Sequence, residues 1–140
     1  MRLAISRALL DGLLAATRAA GGREACGLLV GHGDLVLEAP EAPNAASDPS
    51  LEFLIDPAFH LCTQRRAREA GRTLLGCWHS HPGRDLRPSL RDEGGEIGCA
   101  WLIVAGAKAS LWEATGTGFL PAELVVGSLQ LPGTRAMSRP

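Results

Sequence analysis

Residues 73–92, TLLGCWHSHPGRDLRPSLRD, run from an apolar stretch into two histidines, a proline, a polar loop and a serine-to-aspartate step. The first six of them form a short apolar run that starts after Gly71 and reads as a strand feeding directly into His79. Side chains two apart on a strand share a face, so His79 and His81 project together and Ser80 points away. Pro82 ends the strand, because it has no N–H to donate. Ser89 and Asp92 follow at i, i+3 spacing, which places both on one face if they open a helix. Two imidazoles and a carboxylate make a three-ligand set, and a tetrahedral ion so held keeps one position for water, as catalytic zinc does. Each piece alone has a plainer explanation. Ser89-x-x-Asp92 fits a capping-box-like helix start, and His-x-His fits a polar strand end. The order of strand, loop and helix favours the metal.

Outward from this stretch, the chain reads as alternating helices and strands. Leu10, Leu13, Leu14 and Thr17 recur at helical spacing within residues 6–20, with Arg7, Asp11, Ala15 and Arg18 opposite and Gly21-Gly22 as the stop. EACGLLVG (24–31) is a buried strand, and DLVLEA (34–39) should pair with it across the Gly31–Gly33 turn. Three prolines make 40–50 a loop, and LEFLI (51–55) is expected to be a strand. Asp56-Pro57 caps a helix that should run to about Ala70. A short helix is expected from near Ser89, then strands at 100–105, 109–114 and roughly 119–126. The fold class is therefore α/β (α+β), a single-domain mixed sheet with helices packed on it, over residues 1–128. Residues 129–140 read as a C-terminal tail.

Composition excludes several functions. With 14 basic and 15 acidic residues, net charge −1, there is no electrostatic case for nucleic acid or an anionic membrane surface. No stretch approaches the roughly 20 apolar residues of a membrane span. The leucine-rich start resembles a signal peptide, but Asp11 and Arg18 interrupt it, so a cytoplasmic protein is expected. Cys26, Cys62, Cys77 and Cys99 lack metal-knuckle or redox spacing and lie among apolar residues, as buried free thiols would.

A hydrolytic zinc site also wants a general base beside the water. Glu24, at the edge of an apolar strand, is the candidate; taken without the rest of the site it reads better as the solvated residue after the Gly21-Gly22 stop.

Glu24, His79-Ser80-His81-Pro82 and Ser89-x-x-Asp92, in this order and spacing, resemble the signature of the JAMM (MPN-plus) metalloproteases, small prokaryotic type. The likeness extends through EACGLLVG, PNAASDPSLEFLIDPAFH, WLIVA and the strand bearing Trp112, covering most of residues 3–126. It implies a curved mixed sheet flanked by helices, cytidine-deaminase-like. It also implies zinc on His79, His81 and Asp92, Glu24 as general base, Ser89 as hydrogen-bond donor to the oxyanion, and Ser80 as a support on the other strand face. The implied substrate is a peptide or isopeptide bond after the Gly-Gly tail of a ubiquitin-like or sulfur-carrier protein, and self-association into a homodimer stays open. Gly94-Gly95 depart from the family's more regular helix after the aspartate. Cys77 shares the histidines' strand face but lies some 7 Å further along the strand, so it is expected in the core. A non-catalytic scaffold of the same fold and a non-haem iron oxygenase, which also uses two histidines and a carboxylate, are the rivals.

Overall fold

The computed structural model describes residues 1–83, 85–89, 92 and 96–127. The expected helix near Ser89 falls on Leu90 and Arg91, the glycine pair on Gly94 and Gly95, and the tail on 129–140; all lie outside the described residues. In chain order the elements are β1 (Arg2–Ser6), α1 (Arg7–Ala20), β2 (Cys26–His32), β3 (Leu35–Glu38), β4 (Glu41–Ala42), α2 (Pro57–Glu69), β5 (Thr73–Ser80), β6 (Ala100–Ala105), β7 (Lys108–Thr115) and β8 (Gly118–Gly127).

Local chemistry sets the helix ends. The Ser6 hydroxyl accepts the Leu9 N–H at 3.1 Å and starts α1. Gly21, at φ 63°, stops it while donating its N–H to the Arg18 carbonyl. The Asp56 carboxylate accepts the Phe59 N–H at 3.3 Å, and Pro57 supplies a pre-set φ in the first turn of α2.

The sheet is mixed: β1 runs parallel to β8 and β3, β5 runs parallel to β6, and the other pairs are antiparallel. Following hydrogen-bonded neighbours gives the order β3-β1-β8-β7-β6-β5-β2, and β2 pairs again with β3. The sheet thus closes on itself, and β4 lies along the rest of the β2 edge. The mixed sheet with two packed helices is as expected; the barrel-like closure goes beyond the curved sheet expected from the sequence.

One sheet face carries the core. Leu10, Leu13 and Leu14 of α1 pack there with Ile5, Trp78, Leu102 and Val104. Burying each such leucine contributes roughly 1.5–3 kcal/mol. The other face carries Leu28, Cys77 and Trp101, which are register neighbours across β2, β5 and β6, and α2 packs over β2 and β5 on that side. Gly27 lets the strands approach: it stands opposite Trp78, and a Cβ there would run into the Pro40 carbonyl and the Trp78 indole.

Four expectations need correction. Within the stretch 40–50 expected to be a loop, Glu41–Ala42 pair with β2 as β4. Residues 2–6 form a strand, β1, where no element was expected before the helix. LEFLI is not a strand: only Ile55 bridges, antiparallel to Asn44, and Leu51 and Leu54 are exposed. The Glu52 carbonyl and the Leu54 N–H bond the Asn44 side chain, while the Leu54 carbonyl accepts the Ala45 N–H and the Glu52 N–H donates to the Asp48 carbonyl. Of the four free thiols, Cys26 is buried, Cys77 and Cys99 are half-buried, and Cys62 is exposed on α2, whose buried line runs through Thr63 and Ala67. No helix among the described residues is long and apolar enough to cross a membrane.

Candidate metal centre

The antiparallel register of β2 and β5 sets Cys26 opposite His79, so Glu24 and Ala25 run alongside Ser80 and His81. Ser80 fastens the two segments. Its N–H donates to the Ala25 carbonyl at 2.9 Å, and its hydroxyl accepts the Ala25 N–H at 2.8 Å. Beyond the end of β5 the His81 N–H still bonds Val104 of β6 at 2.9 Å, so the second histidine is as firmly placed as the first. Both rings leave the same side of the strand, as period-two geometry requires.

Their Nε2 atoms lie 3.1 Å apart, and Asp92 Oδ2 lies 3.2 Å from His79 Nε2 and 3.3 Å from His81 Nε2. All three residues are buried. Asp92 is tied to Ser89 by two bonds: its N–H donates to the Ser89 carbonyl at 3.0 Å, and the Ser89 N–H donates to Asp92 Oδ2 at 2.9 Å.

The donor chemistry fits a zinc ion. Bonds of about 2.0–2.1 Å in a tetrahedron put ligand atoms about 3.3–3.4 Å apart. The observed edges of 3.1–3.3 Å are close to this. His81 Nδ1 is 2.7 Å from the Asp85 carbonyl, so the proton belongs on Nδ1 and the Nε2 lone pair faces the cluster. The His79 ring stacks on Phe53, centroids 4.3 Å apart and 18° from parallel, and meets Trp101 edge-on at 5.4 Å. Among the described residues, His79, His81 and Asp92 are the donors that converge; Cys77 is not one of them.

Electrostatics sharpen the division of labour. Burial pulls the His79 pKa down and outweighs the bond to Asp92, keeping the ring neutral. Burial also lowers that of His81, but Asp92, the Asp85 carbonyl and Glu24 more than offset it, and the net shift is upward. For Asp92, burial favours the neutral acid, yet the two histidines and the Ser89 N–H hold the carboxyl well below the usual range. It stays anionic, as a metal ligand must.

Glu24 is the second carboxylate here. It is 5% exposed, and its Oε1 has no hydrogen-bond partner among the described residues. Burial, opposed by His81 and reinforced by Asp92 and Glu52, pushes its pKa up to about 7. A solvated turn residue would show none of this. Ser89 is exposed at the rim. A cavity of about 380 Å³, walled by Phe53, Ile55, His60, Cys77 and Trp101, opens beside Asp92.

Sequence reasoning missed Phe53, Trp101, Asp85 and Asn44. Phe53 and Trp101 hold the His79 ring, the Asp85 carbonyl fixes the His81 tautomer, and Asn44 ties the 44–54 loop to the Glu24 carbonyl. Their roles depend on contacts across the fold and leave no local pattern.

A closed mixed sheet with a buried His-His-Asp cluster where β5 ends matches a small α/β protein of the JAB/MPN fold. Solved structures agree. A Desulfitobacterium hafniense protein of known solution structure superposes with TM-score 0.83 at 27% identity, covering 96% of this chain and 97% of that one. A JAB1/MPN domain protein from Archaeoglobus fulgidus gives 0.58 at 24%, covering 89% and 98%. A JAMM structure, described as a metalloprotease-like zinc site in the proteasome and signalosome, gives 0.54 at 22%, covering 89% and 99%. The chain belongs to the prokaryotic homologues of the JAB domain, whose family model matches residues 6–115. It is also 33% identical over 97 residues to the desampylase of Haloferax volcanii, a match spanning 65% of this chain and 70% of that protein. The JAMM resemblance seen in the sequence is thereby confirmed.

Proposed function

We propose that this protein is a zinc-dependent hydrolase that cuts a peptide or isopeptide bond after the C-terminal Gly-Gly of a ubiquitin-like or sulfur-carrier protein. One observation carries the hydrolase assignment: three donor atoms within 3.3 Å of one another beside a buried carboxylate with an oxygen unpartnered among the described residues; the Gly-Gly carrier substrate rests on the family resemblance. The likeness to a desampylase supports hydrolysis that releases a protein modifier.

His79, His81 and Asp92 would hold the ion, which lowers the pKa of a water to about 7 and polarises the scissile carbonyl. Glu24 takes the proton of the attacking water and returns it to the leaving amine, its carboxylate being buried and, among the described residues, unbonded at Oε1. Ser89, at the exposed rim and tied to Asp92 through its backbone, offers its hydroxyl to the oxyanion. Ser80 keeps the Glu24 segment in register with the histidines. A scaffold or an iron oxygenase would have no use for a buried carboxyl that costs stability at Glu24. Residues 1–128 are taken as the catalytic domain, and four unpaired thiols suit the reducing cytoplasm.

Metal analysis of protein purified without added metal tests the assignment. Zinc near one equivalent, with turnover lost to a chelator and restored by zinc, is expected; iron with oxygen-dependent turnover would refute it. Ser89→Ala should lower kcat by about 10²–10³, as for one lost oxyanion donor, with zinc content unchanged. A variant as fast as the wild type would remove the hydroxyl from the mechanism.

A further inference from the structure

We propose that Asn44 is the positioning residue of this site, setting the general base and one histidine ring through a single side-chain amide. The inference rests on the hydrolase assignment for its kinetic consequence and on hydrogen bonds alone for its structural one.

Asn44 lies between the two edges that need joining. Its Nδ2 donates to the Glu24 carbonyl at 2.9 Å and to the Glu52 carbonyl at 3.0 Å. Its Oδ1 accepts the N–H groups of Ala46 and Leu54, both at 3.0 Å. An asparagine amide has two donors and two acceptor lone pairs, so every one is used. All four partners are backbone groups. Three belong to the 45–54 loop, and the fourth belongs to Glu24.

The loop answers from its other side, where the Pro49 carbonyl accepts the Glu24 N–H at 2.7 Å. Both backbone groups of Glu24 are thus bonded to the 44–54 segment, while among the described residues its carboxylate is unbonded at Oε1. The same amide grips the residues on either side of Phe53, Glu52 by its carbonyl and Leu54 by its N–H. Phe53 is the plate on which the His79 ring stacks. A loop whose own ladder is limited to the Asn44–Ile55 bridge and the Ala45–Leu54 bond is thus tied by one side chain to Glu24 on one side and to the residues flanking Phe53 on the other.

Asn44→Asp is the sharpest variant. It keeps the shape and the acceptor, loses both donors, and faces an anionic oxygen to the Glu24 and Glu52 carbonyls. Hydrogen exchange of the metal-free protein should lose protection at Glu24, Ala46 and Leu54, while β6 and β7 keep theirs. With cleavable fusion in hand, kcat should fall about 10–100-fold with KM changed less than threefold and zinc retained, the scale of a lost supporting contact. In a Glu24→Gln background the same change should cost almost nothing more, because Asn44 acts through Glu24.

Unaltered loop exchange, or a uniform loss of protection across the sheet, would overturn the proposal. So would an undiminished kcat, or full additivity with Glu24→Gln. Asn44→Ser, which keeps a hydroxyl and leaves room for water, carries the same tests if the aspartate variant does not fold. Should the wild type cleave no fusion, the hydrolase assignment fails, and the exchange pattern still decides the role of Asn44.

Discussion

His79→Ala and His81→Ala should each lose the zinc and all turnover, while the sheet survives. The two Nε2 atoms and Asp92 Oδ2 are the converging donors, and deleting either ring leaves two. Two ligands cannot hold zinc tightly against water with a position kept open for chemistry. Turnover should fall by several orders of magnitude, because the site then lacks the ion that brings the pKa of water from 15.7 to about 7. The variants should differ in the apo state. His79 fills a fully buried slot between Phe53 and Trp101, so its loss also opens a cavity, whereas His81 lies at the strand end. His79→Ala should therefore show the lower metal-free Tm. Full zinc occupancy with wild-type turnover in either variant would contradict the ligand assignment.

Glu24→Gln should abolish most activity and stabilise the metal-free protein. The amide keeps the shape but cannot accept the proton, so the rate should drop by about 10²–10⁴ with zinc still bound. The stability effect has a definite sign. Folding raises the Glu24 pKa from 4.5 to about 7, chiefly through burial. Between those values the unfolded chain has released a proton that the folded state still holds, so stability falls as pH rises from 4.5 to 7 and stays lower above it. Glutamine removes that penalty. The gain should be on the order of 2–3 kcal/mol at pH 8 and near zero at pH 4. Thermal melts of both metal-free proteins across this range measure it. A silent substitution in both rate and melt would make Glu24 a solvated turn residue.

Where local chemistry decides an element, the sequence was sufficient. The Gly21-Gly22 stop of the first helix and the Asp56-Pro57 start of the second bound the helices nearly as expected. The spacing of His79, His81 and Asp92 exposed the cluster, because one strand face sets both histidines and the aspartate follows within 14 residues. Long-range pairing was not legible. β1 is a strand because β8, some 120 residues away, runs parallel to it, and no pattern in residues 2–6 announces that partner. Barrel closure depends likewise on β3 meeting both β1 and β2. LEFLI has strand composition, but the Asn44 amide takes the backbone groups a ladder would have used. Side-chain capture of backbone overrides propensity there, and it also hid Phe53 and Asn44 from the list of site residues.

The most direct measurement is intact mass. A ubiquitin-like or sulfur-carrier protein fused through its terminal Gly-Gly to a short peptide is incubated with the zinc-loaded enzyme. The expected product is the carrier ending in Gly-Gly, absent with chelator and restored by zinc. Carrier panels that stay intact beside fully zinc-loaded enzyme, or cleavage indifferent to the chelator, would contradict the metal-dependent hydrolase.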